Sequence, residues 1–514
     1  MTGPTPQAEE EGRTPDSPPA DVHDRTLEDN VRPRGWINPT PAGRYNLVVL
    51  GAGTAGLVAA AGAAGLGAKV ALIEGHLMGG DCLVVGCVPS KALIRSSRTA
   101  SDVRDAARFG VHVPDGTSVD FPAVMERMRR LRAGFSPNDS AERFHGLGVD
   151  VFLGAGRFVG PDVAEVGGRT LRFARAIIAT GSRPAISPIP GLAEAGYLTN
   201  ETVFSLTDMP RRLAIIGAGP IGCELAQAFA RFGASVALVQ GSHPLLGRED
   251  RDAAGLVERS LRRDGVEILG DDVALVRRDG DARVLALGGV GESRELRVDA
   301  ILVAVGRSPN TRDLGLDAAG VAVNEVGVAV DDHLRTSNRR IFAAGDVCSR
   351  FKFTHAADAM ARIAVRNALF LGREKVGRLI IPRCTYTDPE VAQVGLDESE
   401  AGRRGIRVRT FRQELGGVDR AVLDGETEGF VKIHIGQGSD EILGATVVAR
   451  HAGEMLSELT LAIVGRVGLR TLARTIHPYP TQAEAIRKVA DAYNRTRMTP
   501  LVHRVFERWL AWSR

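Results

Sequence analysis

Five cysteines in 514 residues are too few and too scattered for the disulfide framework of a small secreted domain. Cys82, Cys87, Cys223, Cys348 and Cys384 suit a reducing cytosol, so the expected location is cytoplasmic. No second cysteine or histidine pair stands at zinc spacing, and no metal site is expected. Runs of about eighteen apolar residues are also missing, so no segment reads as a membrane-spanning helix. Net charge is only +3 and is dispersed, which argues against a nucleic-acid partner. The first stretch, MTGPTPQAEEEGRTPDSPPADVHD, lacks the apolar core of a signal peptide or anchor. Its Pro and acid content predicts disorder over residues 1–42.

What is present is length and glycine. A chain of 514 residues with 60 glycines divides into three or four domains of ordinary size. The run from Tyr45 to Glu74 reads as strand, glycine turn, small-residue helix and second strand ending on an acid. A second copy runs from Arg212 to Gln240, with Glu74 and Gln240 equally far behind the first glycine of their units. Each copy is followed by a strand-and-turn phrase, AIIATGSRP at 176–184 and ILVAVGRSPN at 301–310. The phrase RRIFAAGDV at 339–347 is expected to return the chain to the first domain. From about Pro382 the texture shifts to strands followed by two amphipathic helices. The predicted fold class is α/β, with two Rossmann-type three-layer domains and a C-terminal α+β domain. The expected boundaries are 43–205, 206–330, 331–380 and 381–497, with a tail at 498–514. The tail TPLVHRVFERWLAWSR has helical apolar spacing and reads as a helix docked on its own protein rather than a membrane anchor.

In the first unit Gly51 permits the tight turn, Gly53 lets backbone approach a pyrophosphate, and Gly56 allows helix and strand to pack closely. Thr54 and Ala55 open the helix whose N-terminus holds the anion, and Glu74 is placed to accept from an adenosine ribose. Gly217, Gly219, Pro220, Ile221 and Gly222 repeat the pattern, with Gln240 at the acid's position. Directly after the first unit, GGDCLVVGCVPSKALI separates Cys82 from Cys87 by about one helical turn, close enough to form a disulfide.

These motifs, in this order, resemble the class I pyridine nucleotide:disulfide oxidoreductases, the family of dihydrolipoamide dehydrogenase, glutathione reductase and mercuric reductase. The resemblance covers residues 44–497 and includes Pro89, Ser90 and Lys91 after the cysteines and CTYTDPEVAQVG at 384–395. It implies FAD on the first unit and NADPH or NADH on the second. Gly80, Lys91, Thr180, Gly181, Gly306, Gly345 and Asp346 then join the cofactor-binding set, with Asp346 at the ribityl chain. Cys87 would face the flavin, Cys82 would exchange with the acceptor, and Lys91 would pair with Glu224. A homodimer is implied, in which each site is completed by the partner's last domain and passes electrons to a small molecule, a disulfide or a metal ion.

Two departures bear on specificity. Gln240 removes the acid expected to hold the NADH ribose, which leaves both coenzymes open. In HPYPTQAE, residues 477–484, alignment on Pro480, Thr481 and Glu484 puts Tyr479 where thiol reductases of the family carry a histidine. A phenol with a reference pKa of about 10 is a poor base at neutral pH, and His477 is the alternative base. Tyrosine there, with GGDCLVVGCVPSK, most resembles mercuric-reductase-like members. Their C-terminal cysteine pair is absent, since no cysteine follows Cys384. The other readings are dihydrolipoamide dehydrogenase or another dithiol reductase, and a membrane-associated redox sensor.

Overall fold

The apolar strand Tyr45–Leu50 is paired on both sides, which explains why its residues from Leu47 onward are buried. It runs parallel to Val70–Glu74 and to Arg169–Ile178. Near-continuous apolar runs are what a parallel sheet covered on both faces requires. Val149–Leu153 extends the sheet beyond Val70–Glu74, and the late strand Ile341–Ala343 adds beside Arg169–Ile178. The chain therefore does return to its first domain, with Ile341 opposite Ala176. The structure is a computed structural model and describes residues 21–288 and 294–514.

The second unit repeats this plan. Glu267–Leu269, Ser235–Val239, Arg212–Ile216 and Ala300–Val303 form a four-stranded parallel sheet in that order. A three-stranded antiparallel sheet, Val273–Asp279, Ala282–Leu287 and Arg294–Val298, is attached to it in sequence. The last domain is a five-stranded sheet running Arg383–Thr385, Glu390–Gly395, Ile442–Ala449, Phe430–Gly436 and Val408–Glu414, antiparallel throughout. Helices Ala452–Val464 and Glu484–Thr496 bury Leu456, Leu459, Ile486 and Val489 in the same core as Val431, Ile433 and Val447. The α/β class with two Rossmann-type domains and a closing α+β domain is thus observed.

Two expectations fail at the termini. The predicted disorder of residues 1–42 does not hold for residues 21–42, and residues 1–20 lie outside the described residues. Val22–Val31 is a helix whose N-cap Asp21 accepts from His23 N at 2.8 Å and Asp24 N at 2.9 Å. It buries Leu27 and Val31 and pairs Asp24 with Arg132 at 2.6 Å. Downstream, Trp36 Nε1 donates to Val151 O, and Asn38 bonds both the N–H and the C=O of Leu153. This segment covers the sheet's edge strand, a position that leaves backbone groups in need of partners. At the other end, the tail does form a helix, Pro500–Trp512, but none of its residues is buried, so it is not docked on its own chain.

Candidate active site

The parallel strands of both units end on one cleft of about 3070 Å³. Leu50, Ile73, Ala179, Ile216, Val239 and Val303 line it, which puts it at the carboxyl edges of two doubly wound sheets. Gly51 has φ +100°, and a Cβ there would lie 2.4 Å from Ala179 O. A Cβ on Gly56 would lie 1.7 Å from Gly51 O, so only glycine allows helix Thr54–Gly65 to sit so close to its strand. Gly217 and Gly222 make the equivalent approaches in the second unit. Gly53 and Gly219 differ: a Cβ on Gly219 meets nothing within 4 Å, and one on Gly53 meets only Gly80 Cα at 3.8 Å. Their missing side chains leave room in the cleft, beside helix N-termini without side-chain caps. Uncapped N–H groups and free space at that point fit a dinucleotide pyrophosphate.

Glu74 closes the first unit, accepting from Ala52 N at 2.6 Å and His76 N at 2.7 Å. Burial pushes its carboxyl up, against the pull of those two main-chain donors. Asp346 accepts from Ser182 Oγ at 2.6 Å. Arg307, overlooked in the sequence beyond its place in the VGRSPN phrase, bonds Ser182 Oγ and Ser182 O, both at 2.7 Å, and pairs with Asp81. It links the second unit's return strand to the residue beside Cys82, a contact across 226 positions with no local signal. Thr180, Gly181, Gly306, Gly345, Ile221, Pro220 and Gln240 all line the cleft. Gly56 and Gly222 do not, as befits glycines that serve packing.

The cysteine segment is not one continuous helical turn. Cys82 lies in the short helix Gly80–Val84, and Cys87 begins a second helix, Cys87–Arg104, after a break at Val85 and Gly86. Gly86 is pinned there because a Cβ would lie 2.5 Å from Asp81 O. Both cysteines are free thiols that face the cleft. The Cys82 thiol hydrogen bonds Cys87, and this, against the opposing effect of burial, holds the Cys87 thiol down at about 6. The Thr354 hydroxyl, 3.4 Å from Cys87 Sγ, and the Lys91 charge act in the same direction. The Cys87 position at a helix N-terminus favours the anion as well. Cys82 is pushed up by the same shared bond and keeps the proton.

Lys91, one turn beyond Cys87, bonds Glu224 Oε2 at 2.8 Å. Burial opposes its charge, but the Glu224 carboxylate outweighs burial and raises Lys91 above its ordinary value. Glu224 Oε1 accepts from Tyr386 N at 2.9 Å, and the Tyr386 ring lies 4.4 Å from Lys91 Nζ. Three domains therefore meet at this pair. Thr354 was not legible as a site residue because it belongs to no motif, and Tyr386, although inside CTYTDPEVAQVG, carried no local signal of its place beside Lys91. Cys223 and Cys348 are buried thiols, Cys348 pushed up to about 12 by burial.

His477, Tyr479 and Glu484 do not line this cleft in their own chain. His477 Nε2 lies 3.0 Å from Glu458 Oε1, and Nδ1 lies 3.2 Å from Thr475 O. Tyr479 is 72% exposed and donates to Asp419 Oδ2 at 2.9 Å. Glu484 accepts from Arg487 at 2.7 Å, while its buried Oε2 has no hydrogen-bond partner among the described residues. Among the described residues no cluster of three or more potential ligands could hold a metal ion.

Comparison with known proteins agrees with this geometry. Residues 45–361 match the family model described as pyridine nucleotide-disulphide oxidoreductase, and residues 381–490 match its dimerisation domain. A mercuric reductase of Bacillus cereus is 33% identical over 453 residues, covering 88% of this chain and 72% of that protein. A dihydrolipoyl dehydrogenase of Chlamydia muridarum is 35% identical over 451 residues, covering 86% and 95%. Among solved structures, the HOCl-induced flavoprotein disulfide reductase RclA of Escherichia coli superimposes with a TM-score of 0.77 at 28% identity, covering 87% and 99%. LpdA of Mycobacterium tuberculosis gives 0.80 at 28%, covering 88% and 100%. The dimerisation-domain match supports a homodimer. With both units and the closing domain accounted for, the chain belongs to the pyridine nucleotide-disulphide oxidoreductases, flavoprotein enzymes that use FAD and NAD(P)H.

Proposed function

We propose that the protein transfers electrons from NAD(P)H to the Cys82 and Cys87 pair and then to a soft metal ion, as a mercuric-reductase-like enzyme. Bound FAD would supply the two-electron relay between coenzyme and thiols. Gly51, Gly53, Thr54, Glu74 and Asp346 would hold it, and Gly217, Gly219 and Gln240 would hold the coenzyme. Lys91, fixed by Glu224, would place a positive charge at the meeting point of the domains. Cys87 would carry the thiolate and Cys82 the exchanging sulfur.

The observation that carries this reading is that HPYPTQAE presents a phenol, Tyr479, and no imidazole at position 479. Both nitrogens of His477 lie near oxygens of its own domain, Thr475 O and Glu458 Oε1, which hold the ring there, and His477 does not line the cleft. Tyr479 presents a phenol already bonded to Asp419, which pushes it above its ordinary value. A dithiol acceptor needs a proton shuttle; a soft metal ion needs thiolate ligands. In the homodimer Tyr479 would line the partner's acceptor site. The dihydrolipoyl dehydrogenase relatives favour lipoamide as the second reading.

Steady-state NADPH and NADH oxidation, with Hg(II), Cu(II), lipoamide and oxidised glutathione supplied separately, tests both. Metal-dependent turnover at least about tenfold above either disulfide is the expected result. Turnover with lipoamide alone would overturn the proposal and return His477 to the mechanism.

A further inference from the structure

The helix Pro500–Trp512 follows the last domain and buries nothing against it. Its large apolar residues all fall on one side. Leu501, Val505, Trp509 and Trp512 recur at spacings of four, four and three, with Val502, Phe506 and Leu510 beside them. These seven residues occupy about half the circumference of a thirteen-residue helix. Leu501 is 65% exposed, Trp509 61% and Trp512 78%, and the two indole rings lie 5.4 Å apart. The opposite side carries His503, Arg504, Glu507 and Arg508, with Arg495, Arg497 and Arg514 at the two ends. Its one carboxylate, Glu507, lies 3.1 Å from the His503 ring.

We propose that this helix lies in the plane of an anionic lipid bilayer, with its apolar side in the acyl boundary and its arginines among the headgroup phosphates. Width, composition and charge distinguish this occupant from a second copy of the chain. A self-associating helix pair needs a narrow seam of aliphatic side chains. Here the apolar arc is broad, rich in tryptophan and bordered by arginine, the pattern of helices that rest at a membrane interface. Facing copies would also bring like charges together. At about 20 Å the helix is too short to cross a bilayer, and among the described residues no helix is long and apolar enough to do so. The cationic side complements anionic headgroups, and the attraction falls with salt.

The test is co-sedimentation of the full-length, flavin-loaded protein with phosphatidylcholine vesicles, with and without about one third phosphatidylglycerol. The expected result is pelleting with the anionic vesicles, weakened by salt and at least about tenfold lower with phosphatidylcholine alone. Only three tryptophans occur in the chain, so a blue shift of their emission on binding reports on Trp509 and Trp512. W509S/W512S should abolish both signals and leave NAD(P)H-driven flavin reduction unchanged. R504Q/R508Q should keep the apolar side and lose the preference for anionic vesicles. Failure of the wild-type protein to pellet, or equal pelleting of W509S/W512S, overturns the proposal. So does a change of oligomeric state in W509S/W512S by light scattering, which would assign the face to a second copy.

Discussion

At the scale of single residues, Cys87 is the sulfur whose protonation the fold sets. Its thiol is lowered to about 6 by the Cys82 hydrogen bond, with Thr354 and Lys91 assisting and both burial and Glu224 opposing. A depressed acid is deprotonated above its shifted value and protonated below it. In the reduced protein, the long-wavelength absorbance of a thiolate against bound flavin should therefore be present at neutral pH. It should fall as pH drops through about 6, and be absent in Cys87→Ser at every pH. A band that persists well below that value would show that Cys87 is not its source. A second residue-scale expectation concerns Glu484, whose Oε2 is buried without a partner among the described residues while Tyr479 bonds Asp419 instead. Tyr479→His places a ring nitrogen where that carboxylate can orient it, so lipoamide turnover should rise by about tenfold or more. If it does not rise while the variant stays folded and flavin-loaded, the missing proton shuttle is not what limits dithiol chemistry.

At the scale of elements, the N-terminal helix Val22–Val31 shows how a short element can be tied to the redox turn. Arg132 Nη2 donates to Asp24, and its Nη1 donates to Val84 O, the last residue of the short helix that carries Cys82. Leu27, only 3% exposed, packs below. Leu27→Ala should cost about 2–3 kcal/mol, read as a lower Tm by calorimetry, whereas Val22→Ala at an exposed position should be close to neutral. Equal Tm values would mean that this helix is not part of the cooperative core. Its existence was written in the sequence by Asp21 as N-cap and by Leu27 and Val31 four apart, but the Pro and acid content of residues 1–20 masked that signal. The two glycine units were legible because their constraints are local: Gly51 and Gly56 meet atoms a few positions away or on the adjoining strand. Arg307 with Asp81, and Glu224 with Tyr386, join residues far apart in sequence, and no periodicity encodes such pairs. The tail's amphipathic spacing was legible, but not which surface it faces, because spacing fixes a stripe and says nothing of what covers it.

At the scale of the whole molecule, the cleft and the HPYPTQAE segment are separate within one chain, although the chemistry assigned to them is one site. Cys82 and Cys87 open on the cleft, whereas Tyr479 stands 72% exposed in the last domain, away from it. A two-fold dimer resolves this if each cleft receives the other subunit's Tyr479 loop. The consequence can be measured by subunit mixing. Cys87→Ser leaves a subunit with an intact Tyr479, and Tyr479→Ala leaves one with intact cysteines. In the mixed dimer one of the two sites combines the intact cysteines with the intact tyrosine, and the other has neither. Random reassociation makes half of the dimers mixed, so metal-dependent activity should recover to about one quarter of wild type above the two parents. Recovery requires exchange of subunits, so it should appear only after dilution and reconcentration, or on co-expression. Activity equal to the average of the parents after verified exchange would place cysteines and tyrosine in the same subunit's site. It would also remove the partner from the proposed mechanism while leaving the thiolate chemistry of Cys87 intact.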